Sequence, residues 1–122
     1  MARHNETGKK GEKLAAEWLV KNGFTILEKN WRFKRLEVDI IAEKENLLHF
    51  IEVKSRASEN YGLPEEAVSK KKIENLLNAS VEYLQLYPTS KRIQFDVLAI
   101  TLQNDAATFF FHRRCIYLTL YY

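Results

Sequence analysis

Hydrophobic positions along this chain switch between two periods. After a polar start from Met1 to Gly11, expected to fray, Leu14, Ala15, Ala16, Trp18, Leu19 and Val20 share one helical arc. Lys13, Glu17 and Lys21 form the opposite, solvated face. The pattern predicts a helix to about Asn22, ended by Gly23. Phe24–Leu27 reads as a first strand closed by Glu28, Lys29 and Asn30. Leu36–Ala42 and Leu47–Arg56 read as two strands around the charged turn Glu43–Asn46. Tyr61-Gly62-Leu63-Pro64 predicts a turn that opens a second helix, with Pro64 at its first position and Glu65 and Glu66 in its first turn. That helix is expected to reach Tyr87, with Ile73, Leu76, Leu77, Ser80, Leu84 and Tyr87 facing inward. Arg92–Ile100 and Thr108–His112 complete the strands, with a turn at Gln103–Ala106 and an aromatic tail at Tyr117–Tyr122 suited to the core or to a second subunit. The order αβββαββ places the chain in the α/β class.

Two of these strands carry charge where a buried strand should carry none. Asp39 interrupts Val38-Asp39-Ile40-Ile41, and Glu52 and Lys54 interrupt Phe50-Ile51-Glu52-Val53-Lys54. Acidic residues are rarely buried unless paired or bound to metal. Alternation puts Glu52 and Lys54 on one face, and Glu37 and Asp39 on one face. If the strands pair as a hairpin, Asp39 faces Glu52, and two carboxylates and a lysine converge. A magnesium-dependent phosphodiesterase needs this set: Mg²⁺ takes hard oxygen ligands and keeps several waters, so one or two carboxylates suffice. A cross-strand ion pair on a solvated face would leave the same pattern and be worth little. The apolar residues on both sides of each charge favour the buried site.

Other positions bear on this centre. Glu12 falls near the middle of the first helix's apolar arc, either in the first turn, favoured by the helix dipole, or aimed inward at the site. Trp31-Arg32-Phe33-Lys34-Arg35 interleaves three cations with two aromatics, which suits phosphate contact and base stacking as well as an amphipathic hairpin. Within Lys70, Lys71 and Lys72 the first and last flank the apolar arc, and Lys72 is a candidate for phosphate contact. Asp96 interrupts its strand as Asp39 does and is expected to pair with a lysine. His4, His49 and His112 lack metal-ligand spacing and read as structural or surface residues.

Composition bounds the function without choosing it. A chain of 122 residues fits a single domain, 1–122, with room for a core. A lone Cys115 excludes an internal disulfide and fits a reducing compartment; with a polar N-terminus and no membrane-length apolar run, the cytoplasm is the expected location. A formal charge of +3 permits a nucleic-acid partner. No phosphate-binding glycine loop, Ser-His-Asp set or repeat is present.

Asp39, twelve intervening residues and Glu52-Val53-Lys54 resemble the Asp…Glu-x-Lys signature of the PD-(D/E)xK superfamily of restriction-endonuclease-like nucleases. His4-Asn5-Glu6-x-Gly8-x-x-Gly11-Glu12-x-x-Ala15, Asn30-Trp31-Arg32, Glu37–Ala42, Phe50–Lys54 with Arg56, Gly62-x-Pro64-Glu65-Glu66-Ala67-Val68, Lys72, Ala79, Tyr83-Leu84 and Phe95-Asp96-Val97 together resemble the bacterial YraN family, also called UPF0102. The resemblance extends to about Ile100. It implies a restriction-endonuclease-like mixed central sheet flanked by helices, related to archaeal Holliday-junction resolvases. It further implies Asp39 and Glu52 as metal ligands with the Val53 carbonyl, Lys54 as the catalytic lysine, Glu12 as a carboxylate entering the site and Glu37 as an accessory acid. Arg32, Lys34, Arg35, Arg56 and Lys72 are the candidates for nucleic-acid contact. Two positions depart from the family, which often carries Gly at Leu36 and Arg at Gln94. The expected activity is Mg²⁺- or Mn²⁺-dependent cleavage of DNA, branched or repair-intermediate DNA included, by a chain for which a homodimer would suit a branched substrate. A non-catalytic nucleic-acid-binding module, or a protein-interaction module using the C-terminal aromatics, is the alternative.

Overall fold

The structure, a computed structural model, describes the backbone of residues 2–57, 70–103 and 106–114, and the side chains of 8–57, 70–103 and 106–112. The expected turn and helix start at Tyr61–Val68, the tip of the last turn at Asn104–Asp105, Cys115 and the Tyr117–Tyr122 tail lie outside the described residues. The elements are α1 (Ala2–Lys21), β1 (Thr25–Phe33), β2 (Leu36–Lys44), β3 (Leu47–Arg56), α2 (Lys70–Leu86), β4 (Arg92–Gln103) and β5 (Ala106–Arg114). They follow the expected αβββαββ order. The strands form one five-stranded mixed sheet in the order β1-β2-β3-β4-β5. Every neighbouring pair is antiparallel except β3 and β4, which run parallel across the α2 crossover.

Alternation along the strands fixes which helix covers which face. Ile40, Ala42, Ile51, Leu98 and Ile100 pack under Ala15, Ala16 and Leu19 of α1. Val38, Ile41, Leu48, Phe50 and Phe95 pack under Leu76, Ala79 and Tyr83 of α2. The central strands thus bury both faces, which explains their nearly unbroken apolar runs. Trp31 closes the α2 layer edge-on against Tyr83, with ring centroids 5.3 Å apart. Trp18 stacks on Phe109 at 5.6 Å and ties α1 to the outer strand β5.

Several expectations shift. Helix α1 starts at Ala2 rather than near Gly11. The polar first turns hide the periodic signal, yet Arg3, Glu6, Lys9 and Lys10 are good helix formers. Strand β1 does not close at Glu28–Asn30 but runs on to Phe33. A register shift between Ile26 and Glu28, and Asn30 at φ 51°, carry it through the polar stretch. Val20 is 59 % exposed, and Tyr87 at 52 % yields its expected inward place to the buried Tyr83. Among the described residues no lysine lies within ion-pair distance of Asp96. It is fully buried and meets His49 Nδ1 at 2.6 Å from Oδ2. Its Oδ1 has no hydrogen-bond partner among the described residues. Leu36 opens β2 opposite Phe33, so the hairpin turn falls on Lys34 and Arg35, with Lys34 at φ 57°. The β2–β3 connection is a two-residue turn at Glu45 and Asn46, both with positive φ, as a type I′ hairpin requires. Among the described residues no helix is long and apolar enough to cross a membrane.

Candidate functional site

The β2–β3 ladder runs from Lys44–Leu47 to Ile40–Ile51 and goes no further. Beyond that pair the strands fork, although β3 continues beside β4 to Arg56. The next pair would have been Asp39 and Glu52. Instead of a backbone partner, the Val53 N–H donates to Asp39 Oδ2 at 2.8 Å. Alternation also breaks here, since Val38 packs in the α2 layer while Ile40 packs in the α1 layer. The side chain that breaks the apolar pattern is therefore the one that finishes the ladder.

A cleft of about 430 Å³ opens at the fork, lined by Asp39, Glu52, Val53, Lys54, Glu37 and Glu12, with Gly8, Arg35, Ser55, Lys72 and Asn75 completing its walls. Four carboxylates from three elements converge on it. Burial, and then the negative charge of Glu52, push the Asp39 carboxyl up to about 7; the Val53 hydrogen bond acts the other way, and Glu37 and Glu12 add to the rise. Burial also raises Glu52, against the pull of the Lys72 ammonium 3.6 Å from its Oε1 and of a hydrogen bond with Asp39. The two groups titrate as a pair. Helix α1 can deliver Glu12 here because residue 11 has no side chain. A methyl on Gly11 would overlap the Ser55 hydroxyl and stand 2.8 Å from Ser55 Cβ. Asn30 Nδ2 approaches Glu12 Oε2 at 3.4 Å.

Among the described residues, no group of three or more His, Cys, Asp or Glu side chains is arranged to ring a metal ion. Mg²⁺ does not ask for one, because it keeps waters and takes one or two carboxylates with substrate oxygens. Asp39 and Glu52 are hard donors, side by side, with Lys72 offsetting part of the charge on Glu52, and Val53 lines the same wall. The donor set therefore fits a magnesium-like cation.

The candidate cations divide. Arg35, Lys54 and Lys72 line the cleft. Among the described residues no carboxylate lies within ion-pair distance of Lys54. Arg32 and Lys34 do not line the cleft; Arg32 reaches Glu37 Oε2 at 3.6 Å across the β1–β2 hairpin, and Lys34 lies 5.5 Å from the centroid of the Phe33 ring. Arg56 points along the sheet, with Nε 3.4 Å from Thr101 Oγ1. Sequence reasoning did not single out Ser55, Asn75 or the structural part played by Gly11. The last left a signal: a glycine in a helix interior, beside a carboxylate on the apolar arc, costs helix stability unless something approaches closely.

Residues 11–100 match the pattern of uncharacterised protein family UPF0102. A UPF0102 protein of Flavobacterium psychrophilum is 46 % identical over 100 residues, 82 % of this chain and 84 % of that one. One from Flavobacterium johnsoniae is 46 % identical over 110 residues, 87 % and 89 % of the two chains. One from the more distant Syntrophomonas wolfei is 42 % identical over 102 residues, 83 % and 89 %. With a match across three quarters of its length and relatives this similar over most of their own, the chain belongs to the UPF0102 family.

Proposed function

We propose that this chain is a Mg²⁺-dependent DNA endonuclease that hydrolyses phosphodiester bonds, of branched or repair-intermediate DNA among its substrates. The observation that carries the reading is the half-buried Asp39–Glu52 pair, raised in pKa at the mouth of a strand fork, with Lys54 and Lys72 on the same walls. A divalent cation held by Asp39, Glu52 and the Val53 carbonyl would polarise a phosphoryl oxygen and make water a better nucleophile.

The chain's own groups divide the remaining work. Asp39 is fixed by the Val53 N–H through one oxygen, which leaves the other for a ligand. Lys72 holds Glu52 in position and offsets part of its charge. Lys54 has three donors and no acceptor. It is suited to grip a phosphate oxygen, to orient the attacking water and to stabilise charge that grows on the phosphate. Glu12 and Glu37 add negative field, which raises cation affinity and lets either accept a proton from water. Arg35 stands where a flanking phosphate would pass.

The test is cleavage of linear, flapped and four-way DNA with and without Mg²⁺, by wild type, Asp39→Asn and Lys54→Ala. Wild type should cleave only with metal, and both variants should lose activity by orders of magnitude. Equal cleavage by all three would point to a contaminant and end the proposal.

The Lys72–Glu52 ion pair favours a second reading, a nucleic-acid-binding module on a nuclease-like scaffold, because it neutralises part of the site without metal. That reading predicts salt-sensitive DNA binding that needs no Mg²⁺ and survives Asp39→Asn.

A further inference from the structure

A second cleft, of about 240 Å³, lies behind the first and shares two of its walls, Glu12 and Asp39. Its other lining residues are Lys9, Lys13, Lys29, Asn30 and Ile40. Its chemistry is the reverse of the first cleft's. Among the described residues the only carboxylates on it are the two it shares, and three lysines line the rest. Lys9 and Lys13 are one helical turn apart on α1, so they lie on one side of that helix, where like charges repel unless an anion sits between them. Lys29 lines the same cleft from β1, where it pairs with Ile40 beside Asn30 at φ 51°. Among the described residues none of the three is within ion-pair distance of a carboxylate.

From this arrangement we infer that the second cleft is a binding site for the sugar-phosphate backbone of the strand whose scissile phosphate lies at Asp39. The inference rests on the nuclease reading and adds a direction to it. The strand runs from Lys72 on α2 and Arg35 in the β1–β2 turn, over Asp39, to Lys9 and Lys13 on α1 and Lys29 on β1. Asp39 is the one ligand common to both clefts, so the scissile bond sits where they meet. The shared carboxylates repel phosphate at the junction, and the lysines on either side attract it. A nucleic-acid backbone, with charges repeating along its length, fits two basic walls on either side of an acidic gap. A single free phosphate would engage only one.

The test is DNA binding by fluorescence anisotropy across a salt series in EDTA, with cleavage kinetics in Mg²⁺. The cleft triple variant Lys9→Gln, Lys13→Gln, Lys29→Gln is compared with a control triple of equal charge loss, Lys21→Gln, Lys44→Gln, Lys91→Gln. Melting temperatures check that both are folded. Each lost phosphate contact flattens the slope of log K against log salt by about 0.7–0.9. The cleft triple should lose about two such contacts and raise KM at least tenfold, with kcat nearly unchanged. The control should keep the wild-type slope. If wild type binds and cleaves DNA while the cleft triple matches the control, the second cleft has no such role although the nuclease reading stands. If wild type binds no DNA at any salt, the nuclease reading falls and this inference falls with it. If inorganic phosphate competes with DNA in the control triple as well as in wild type, but not in the cleft triple, the lysines are confirmed as the anion site.

Discussion

Gly11→Ala should destabilise this protein, against the helix rule. In an open helix interior, alanine in place of glycine stabilises by about 1 kcal/mol. Here the new methyl would overlap the Ser55 hydroxyl and lie 2.8 Å from Ser55 Cβ. The hydroxyl can rotate away, but the two Cβ atoms cannot. Carbon atoms rest about 3.5–4.0 Å apart, so α1 must back off β3 by roughly 1 Å. Ala15 and Leu19 are on the same helix, in one core cluster with Ile51 and Leu98, and packing in that cluster would loosen. A gap of about 0.5–1 Å forfeits a quarter to a half of the dispersion well, and overpacking of this kind costs about 1–3 kcal/mol. The net expectation is a loss of about 0–2 kcal/mol after the helix gain is subtracted. Urea denaturation of four proteins measures it: wild type, Gly11→Ala, Gly11→Ala with Ser55→Ala, and Gly11→Ala with Ser55→Gly. Ser55→Ala removes only the hydroxyl overlap and should rescue in part. Ser55→Gly removes both contacts and should rescue most, less the cost of glycine in a strand. If Gly11→Ala alone gains the roughly 1 kcal/mol of an open helix site, or if neither Ser55 change raises its stability, the close approach of α1 to β3 is wrong.

Other outcomes follow from the same geometry. Asp39 keeps its proton to about pH 7 in the folded state and releases it near 3.8 in the unfolded chain. Its contribution to stability is therefore full below about pH 4, declines as pH rises toward 7 and is lost above it, a span of order 2–4 kcal/mol. In EDTA, Asp39→Asn should thus be more stable than wild type at pH 8 and no more stable at pH 4; equal differences at both would refute the burial of that charge. Lys72→Ala should cost less than about 1 kcal/mol in stability, since the pair is half-exposed, yet should tighten Mg²⁺ binding several-fold by calorimetry because a competing cation is gone. His49→Leu should cost about 3–5 kcal/mol by leaving Asp96 buried without its partner, whereas His49→Leu with Asp96→Leu should cost less, as urea midpoints will show.

Element order and the chemistry of the central strands were legible from the chain because β2 and β3 are buried on both faces. Against such a run, Asp39, Glu52 and Lys54 cannot pass as surface residues. Element ends were less legible. The first turns of α1 are polar in sequence and the middle of β1 is kinked and polar, so neither leaves a hydrophobic period. Asp96 was misread because its partner is not a lysine: His49 lies on β3, and only the parallel β3–β4 pairing brings the two together. The second cleft was hidden for a similar reason. Lys9, Lys13 and Lys29 look like ordinary solvated charges until α1 and β1 are set beside each other.

The Val53 N–H has a consequence of its own. The Asp39 carboxylate is hydrogen-bonded to a numbered backbone amide, so its protonation, or binding of the proposed cation, alters the acceptor that this amide sees. The Val53 resonance is thus a local gauge in a nitrogen–proton spectrum. It will move with pH around 7, move again with Mg²⁺, and stay still in Asp39→Leu, whether or not a substrate has been found.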